Sequence, residues 1–214
     1  EKFPQADDTL GTQMKSVGQV MAIGRTFGEA LQKGLCSQEN GCDGLFDGPA
    51  LPDPDALRHA LITPAPGRIH ALVQALDAGM TVAEISALSH IDPWFLGEID
   101  ALRALRDGVP GRALGDLGAD QVRALKRAGF TDASIGRLVS PAEDELAVRA
   151  YRKGLGVLPT FSRVDTCAAE FPARTPYLYS CYETRCEAQP SDKKKVVVVG
   201  SGPNRIGQGI EFDY

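Results

Sequence analysis

The sequence predicts a mainly α-helical fold: a helical bundle of about seven short helices, flanked by short α/β fragments of neighbouring domains. Two observations lead to this prediction. Between residues 53 and 153, apolar side chains recur at helical spacing, and helix-capping residues separate the apolar stretches. Near each end, by contrast, a short apolar run is typical of a buried strand, at residues 20–23 and at residues 196–199.

The first predicted elements are a short strand and a helix. Residues 20–23 read VMAI, which favours a buried strand. Thr26 stands three residues before Glu29, the spacing of a capping box, in which two side chains satisfy free N–H groups of the first turn. We therefore expect a helix over about residues 27–35, with apolar positions at helical spacing.

The next stretch, residues 38–52, is rich in Gly, Pro, Asn and Asp. These residues punctuate regular structure, so the stretch is predicted to be a linker or surface loop. We expect an upstream domain boundary at this point of the chain.

Capping signals then mark the beginnings and ends of several helices. Asp53-Pro54 supplies a side-chain acceptor followed by a proline, which fits the first helical position. Gly79 is predicted to close the next helix, and Thr81 with Glu84 forms a second capping box. The apolar stripe of the helix before Gly79 consists of Ile69, Leu72, Val73 and Leu76.

The second half of the helical region shows the same pattern of capping residues at helix starts and ends. Asp92-Pro93 opens a helix that Gly108 ends, and two shorter helices follow over residues 119–139. Ser140-Pro141 is predicted to open the last helix, which runs to about residue 153, with the acidic residues 143–145 in its first turn. The inward stripe of the helix after Asp92-Pro93 is predicted to be Phe95, Ile99, Leu102 and Leu105.

From Gly154 onward the sequence becomes β-branched and aromatic. Residues 158–171 and 176–183 are predicted to be extended, and residues 188–195 form a polar linker. A strand over residues 196–199 then leads into a loop with four glycines. Those glycines are Gly200, Gly202, Gly207 and Gly209.

The glycine loop fits neither common nucleotide-binding motif. The dinucleotide fingerprint GxGxxG would need glycine where Arg205 stands, and the GK[ST] of a phosphate-binding P-loop is absent. A tight strand-to-helix connection is therefore favoured over phosphate binding. The candidates for phosphate contact, should it occur, are Gly200, Gly202 and Gly207.

Composition argues against several classes of function. The net charge is −5, and residues 101–153 carry a surplus of only three positive charges, so a nucleic-acid-binding protein is disfavoured. No apolar run approaches the roughly 18 residues of a membrane span. Five cysteines without a CxxC pair predict free thiols in a reducing cytoplasm, and the three histidines lack metal-site spacing.

Four stretches of the chain, in order, carry a specific pattern. They are TQMKSVGQVMAIGRTFGEALQKGL (12–35), GMTVAEISALSHIDPWFLGEI (79–99), RVDTCAAEF with YLYSCYETRCEA (163–171 and 177–188), and VVVVGSGPNRIGQGIEFDY (196–214). Together they closely resemble one known family, the large subunit of carbamoyl-phosphate synthetase. The resemblance covers essentially the whole chain, and its last stretch is long and specific.

The resemblance implies a place within a larger enzyme. The family makes carbamoyl phosphate from bicarbonate, ammonia released from glutamine by a small subunit, and two ATP, with Mg²⁺ or Mn²⁺ and K⁺. Its large subunit has two ATP-grasp halves joined by a helical oligomerisation domain, and it serves arginine and pyrimidine biosynthesis. By this resemblance, residues 1–37 end the first ATP-grasp unit, residues 38–188 form the helical domain, and residues 189–214 open the second half.

The resemblance also implies roles for a few residues. In the family, the GQGIEFDY loop helps to wall an internal path for carbamate, and Gly209 and Glu211 match wall positions. Gln19 matches another wall position, although the family usually has Glu there, so the charge is lost. No catalytic or metal-binding residue carries over, and the piece alone is expected to be inactive. It is expected to self-associate through its helical domain.

Two other classes of function stay open from the residues alone. The glycine loop admits a fragment of a nicotinamide-binding oxidoreductase, although Arg205 and the missing acidic ribose partner argue against it. The slightly basic residues 101–153 admit a helical nucleic-acid-binding module. The start at Glu1 rather than Met, together with the abrupt end, predicts a piece of a longer protein.

Overall fold

The computed structural model describes residues 5, 7, 9–12, 20–38 and 40–198. These residues form eight α-helices and a two-stranded sheet, which confirms the mainly α-helical fold. The helices are α1 (Phe27–Cys36), α2 (Pro54–Ile62), α3 (Arg68–Asp77), α4 (Val82–Ser89), α5 (Pro93–Asp107), α6 (Ala119–Arg127), α7 (Asp132–Leu138) and α8 (Glu145–Gly154), and the strands are β1 (Thr160–Arg163) and β2 (Leu178–Cys181).

The predicted capping residues act as the sequence indicated. The side chains of Asp53, Thr81 and Asp92 accept N–H hydrogen bonds at the starts of α2, α4 and α5. Glu84 completes the Thr81 capping box, and the hydrogen bonds from the backbone N–H and the hydroxyl of Thr81 hold the pKa of Glu84 below its ordinary value. Gly79 follows α3 with φ of +86°, a left-handed conformation that glycine adopts at little cost.

The capping box at α1 forms only in part. The Thr26 hydroxyl accepts from the Glu29 N–H, as predicted. The Glu29 carboxylate, however, accepts from the N–H of Arg25 at 2.6 Å, one residue before the N-cap. Glu29 thereby binds the segment that leads into the helix.

The seven helices α2–α8 fill the span in which the sequence predicted about seven. Helix α5 lies at the centre of the first group, where it packs against α1, α3, α4 and α6, while α7 and α8 pack against each other. Each helix turns its apolar stripe inward, so the core is continuous through the bundle. Its fully buried side chains include Leu61, Leu72, Ile85, Leu96, Ile99, Leu125, Phe130 and Ile135.

The loop between α1 and α2 is more than a linker. Leu45 is buried in the core, where its N–H donates to Gln32 Oε1 at 2.7 Å and its carbonyl accepts from His70 Nδ1 at 2.9 Å. Arg137 of α7 pairs with two aspartates of the same loop. The Gly, Asn and Asp residues predicted a loop correctly, but they carry no signal that its centre is anchored.

The last helix begins four residues later than predicted. Asp144 caps α8, and Ser140-Pro141 lies in the preceding turn. With Ser140 as the N-cap, the Glu143 N–H would be one of the two donors available to its side chain. That N–H instead donates to the carbonyl of Gly136 at 2.9 Å, which holds residues 140–143 in a turn against α7.

The extended segments are confirmed in part. Strands β1 and β2 pair antiparallel, with Phe161 opposite Ser180. The strands predicted at residues 20–23 and 196–199 are wrong where the structure describes them, because residues 20–23 and 196–198 have no strand structure. A strand needs a neighbour for its backbone hydrogen bonds, and none of the described residues provides one there. Residue 199 lies outside the described residues.

Candidate interaction surface

The residues predicted to line a path or contact phosphate all lie outside the described part of the chain. Their roles therefore stay predictions. They are Gln19, Gly200, Gly202, Gly207, Gly209 and Glu211.

An aromatic patch stands out on the surface of the bundle. It is formed by Phe27, the first residue of α1, and by Trp94 and Phe95 in the first turn of α5. The Phe27 ring lies 5.5 Å from that of Trp94 and 5.3 Å from that of Phe95, while the last two are 4.9 Å apart, centroid to centroid. Trp94 is 56% exposed and Phe95 is 42% exposed.

The local sequence explains why these rings meet. Asp92 accepts from the Trp94 N–H at 2.8 Å, which fixes the start of α5 and holds two consecutive aromatic side chains at its first turn. Thr26 caps α1 in the same way and places Phe27 beside them. The edge-to-face geometry of Phe27 and Trp94 is one that aromatic pairs favour. A cluster of three rings, two of them exposed and Phe27 half-buried, indicates an interaction surface.

An apolar groove of about 320 Å³ adjoins Phe27 between α1, α5 and α6. Its lining includes Thr26 and Gly28, three alanines, and the charged side chains of Glu98 and Arg127. Leu105, which the sequence placed on the inward stripe of α5, lies in this groove and is 37% exposed. The prediction was wrong for Phe95, because Leu96 takes the buried position at the start of that stripe, and for Leu105, because that side chain faces the groove.

A buried charge cluster links α6, α7 and α8. Asp132 lies between Lys126 and Arg152, with a contact of 2.8 Å to each, and all three side chains are buried. Lys126 also donates to the carbonyl of Phe130, and Arg152 donates to that of Val157. Both cations lie over the ring of Tyr182. The Asp132 carboxylate, two backbone carbonyls and the Tyr182 ring are thus the partners of both cations. Because the charges are satisfied within the fold, the cluster has a structural role.

The pKa values of this cluster follow from its burial and its charges. Burial acts to raise the pKa of Asp132, but the hydrogen bonds and positive charges of Lys126 and Arg152 outweigh it and hold that pKa below the ordinary value. The carboxylate therefore stays ionised, as two neighbouring cations require.

Burial also raises the pKa of the Cys36 thiol to about 11, which makes it a poor nucleophile near neutral pH.

The described residues offer little else that resembles a reactive site. The five cysteines are free thiols. No group of three or more His, Cys, Asp or Glu side chains is placed to hold a metal ion within residues 20–38 and 40–198 or the short described stretches before them. Among the helices of the described part, none combines the length and apolarity of a membrane span.

The sequence carried one signal for the patch that the helical analysis did not use. Two consecutive aromatic residues directly after an Asp-Pro helix start point about 100° apart on the helix, so a narrow apolar stripe buries one of them more readily than both. No comparable local signal reveals that Phe27 packs against these rings, since 67 positions of the chain separate Phe27 from Trp94.

Comparisons with known proteins agree with the resemblance over the whole chain. A family model described as "Carbamoyl-phosphate synthetase large chain, oligomerisation domain" matches residues 19–156, and one described as "Carbamoyl phosphate synthase preATP-grasp domain" matches residues 192–214. The chain is 51% identical over 218 residues to the carbamoyl phosphate synthase large chain of Xanthomonas campestris pv. campestris. It is 52% identical over 220 residues to that of Synechocystis sp., and 51% identical over 214 residues to that of Pasteurella multocida.

These alignments cover 100% of the chain and 20% of each relative. The chain therefore spans about one fifth of the length of the curated relatives it matches. The matches support the first of the three hypotheses drawn from the sequence. They do not support the nicotinamide-binding fragment or the nucleic-acid-binding module.

Proposed function

The chain belongs to the carbamoyl phosphate synthase large chain family, and we propose that it is the central region of such a protein, where it connects two halves and joins subunits. The match of the oligomerisation-domain model to residues 19–156 is the observation that carries this proposal. The helical bundle and its exposed aromatic patch support it, because a connecting and self-associating module needs a rigid core and an apolar contact surface.

The whole protein is proposed to make carbamoyl phosphate from bicarbonate, ammonia and two ATP, with Mg²⁺ or Mn²⁺ and K⁺, in the cytoplasm. A small subunit is proposed to supply the ammonia from glutamine. We assign no step of this ligase reaction to the described residues, whose side chains form no metal-ligand cluster. The chain alone is accordingly expected to bind no cofactor and to leave ATP unhydrolysed.

We further propose a division of the chain into three parts. Residues 1–37 end the first ATP-grasp unit, residues 38–188 form the helical region, and residues 189–214 begin the second half. The match of the preATP-grasp model to residues 192–214 supports the last of these boundaries. Gly209, Glu211 and Gln19 are proposed to wall the path along which carbamate travels between the halves.

A substitution at Gly209 tests the proposed path and the activity together. In the full large chain with its small subunit, Gly209→Leu should raise the ATP consumed per carbamoyl phosphate formed. A leucine side chain would narrow the path, and carbamate that escapes into water is hydrolysed. The measurement is the ratio of ADP to carbamoyl phosphate in a coupled assay.

Gly115→Leu is the matched control, since Gly115 is exposed and a Cβ atom added there meets no atom within 4 Å. This variant should keep the ratio of the unsubstituted protein. An unchanged ratio in Gly209→Leu would remove Gly209 from the path. A full large chain that forms no carbamoyl phosphate at all would contradict the proposed activity itself.

A further inference from the structure

The ammonium group of Lys33 joins three separate segments of the chain. It donates to the carbonyl of Ile23 at 2.9 Å, to the carbonyl of Ser180 at 2.6 Å, and it pairs with Glu29 Oε1 at 2.8 Å. An ammonium group has three N–H donors, so each has one partner. The segments are residues 20–26, which we call the leading segment, helix α1 itself, and strand β2.

Further contacts reinforce the same junction. The second carboxylate oxygen of Glu29 accepts from the N–H of Arg25, and the Glu29 side chain is buried. The guanidinium of Arg25 reaches the hydroxyl of Tyr179 at 3.5 Å, and Lys33 Nζ lies 5.8 Å from the centroid of the Tyr179 ring. We call Lys33, Glu29, Arg25 and Tyr179 the clamp.

The clamp fixes main chain rather than flexible side chains. Two of the Lys33 partners are backbone carbonyls, and the hydrogen bond to Ser180 spans 147 positions of the sequence. The leading segment has no regular structure. The end of β2, by contrast, is held to the bundle by the buried Cys181 and by the ion pair of Arg127 with Glu183. The particular contribution of Lys33 is therefore to fix the leading segment to β2.

The clamp lies where the chain reaches the helical bundle and where it leaves it. The leading segment precedes α1, while β1 and β2 follow α8. Lys33 therefore holds the chain that precedes the bundle against the chain that follows it.

We propose that Lys33 is a positioning residue that sets the two halves of the large chain relative to each other by clamping the leading segment to β2. This rests on the proposed function, in which those halves exchange a labile intermediate. Without the clamp, the leading segment and the sheet would move independently. Carbamate would then leak, although the residues that carry out the chemistry would be intact.

The test compares substitutions at Lys33 in the full large chain with its small subunit. Lys33→Met keeps the length of the side chain and removes all three donors. Lys33→Arg keeps the charge and the donors, and Lys33→Gln keeps one amide group. Arg127→Met is the matched control, because the charged partner of Arg127 in α6 is Glu183, just after β2, rather than a residue of the leading segment.

Two measurements are made on each variant. Hydrogen exchange reports on the amide of Arg25 and on those of β1 and β2, while the ratio of ATP consumed to carbamoyl phosphate formed reports on coupling. In Lys33→Met, exchange at these amides should become about tenfold faster, because a lost charge-assisted hydrogen bond shifts local opening by about that factor. The ATP ratio should rise as well.

The remaining variants decide what the result means. Lys33→Arg should restore both readouts, Lys33→Gln should be intermediate, and Arg127→Met should leave the ATP ratio unchanged. Faster exchange with an unchanged ATP ratio would overturn the positioning role, and so would unchanged exchange. If Lys33→Met does not fold, Lys33→Gln decides on the same two readouts. Failure of the proposed function is distinct, since the unsubstituted large chain would then form no carbamoyl phosphate.

Discussion

The carboxylate of Asp132 holds two cations inside the bundle. Lys126 lies six positions before it and Arg152 lies twenty after it, so three helices depend on one negative charge. In the sequence, both cations look like ordinary polar residues of amphipathic helices, and local periodicity cannot show that they point inward. The cluster therefore could not be predicted from the sequence, because contacts between separate elements create it.

Removing this charge should be costly. Asp132→Asn is expected to lower the free energy of unfolding by about 3–5 kcal/mol, the usual result of leaving buried cations without a counter-charge. Asp120→Asn, the same chemical change at an exposed position in the first turn of α6, should cost less than about 0.5 kcal/mol. Chemical denaturation monitored by circular dichroism gives both values.

The loss of free energy of unfolding in Asp132→Asn should also depend on pH. Because the folded-state pKa of Asp132 is lowered, its stabilisation is fully present above the ordinary carboxyl pKa of about 4 and is lost as pH falls through the lowered value. The difference in free energy of unfolding between the unsubstituted chain and Asp132→Asn should thus be constant from neutral to mildly acidic pH and shrink below pH 4. A difference independent of pH throughout would contradict the ion-pair account.

At the scale of single elements, the sequence correctly predicted the helix starts that depend only on neighbouring residues. Helices α2, α4 and α5 begin at the predicted capping residues, since an N-cap satisfies its own helix and needs no distant partner. The predicted strands at residues 20–23 and 196–199 did not form where they are described, because a strand depends on a neighbour. The start of α8 was misplaced since a backbone hydrogen bond from Glu143 to Gly136 took priority.

Two glycines in helices provide a test of that last point. A Cβ atom at Gly136 of α7 would lie 2.1 Å from the carbonyl oxygen of Glu143, whereas one at Gly97 of α5 meets no atom within 4 Å. Gly136→Ala should therefore destabilise the chain by about 1–3 kcal/mol through overpacking, while Gly97→Ala should stabilise it by about 0.5–1 kcal/mol. Thermal and chemical unfolding measure both. Equal effects of the two alanines would mean that the turn before α8 is not tightly packed against α7.

At the scale of the whole molecule, the fold class and the seven helices of the central span were predictable from hydrophobic spacing and caps. The candidate sites were not. The aromatic patch and the clamp each combine residues far apart in sequence, so only the folded chain shows them. The same is true of Leu45, which a loop-like sequence carries into the core.

The aromatic patch is expected to carry self-association. Replacing Trp94 and Phe95 together by serine removes two exposed rings that lie outside the buried core, so the chain should stay folded and lose its tendency to associate. Leu146→Ser is the control, since Leu146 of α8 is an apolar residue that is 70% exposed and lies on a different helix. If the double variant associates as strongly as the unsubstituted chain, another surface makes the contact.

Light scattering of the purified chain over a wide range of concentration tests the central claim, that this region is an association and connecting module. The account predicts that the weight-average mass rises from the 22.8 kDa of a single chain towards a multiple of it as concentration increases. A mass that stays at 22.8 kDa from micromolar to near-millimolar concentration would contradict it.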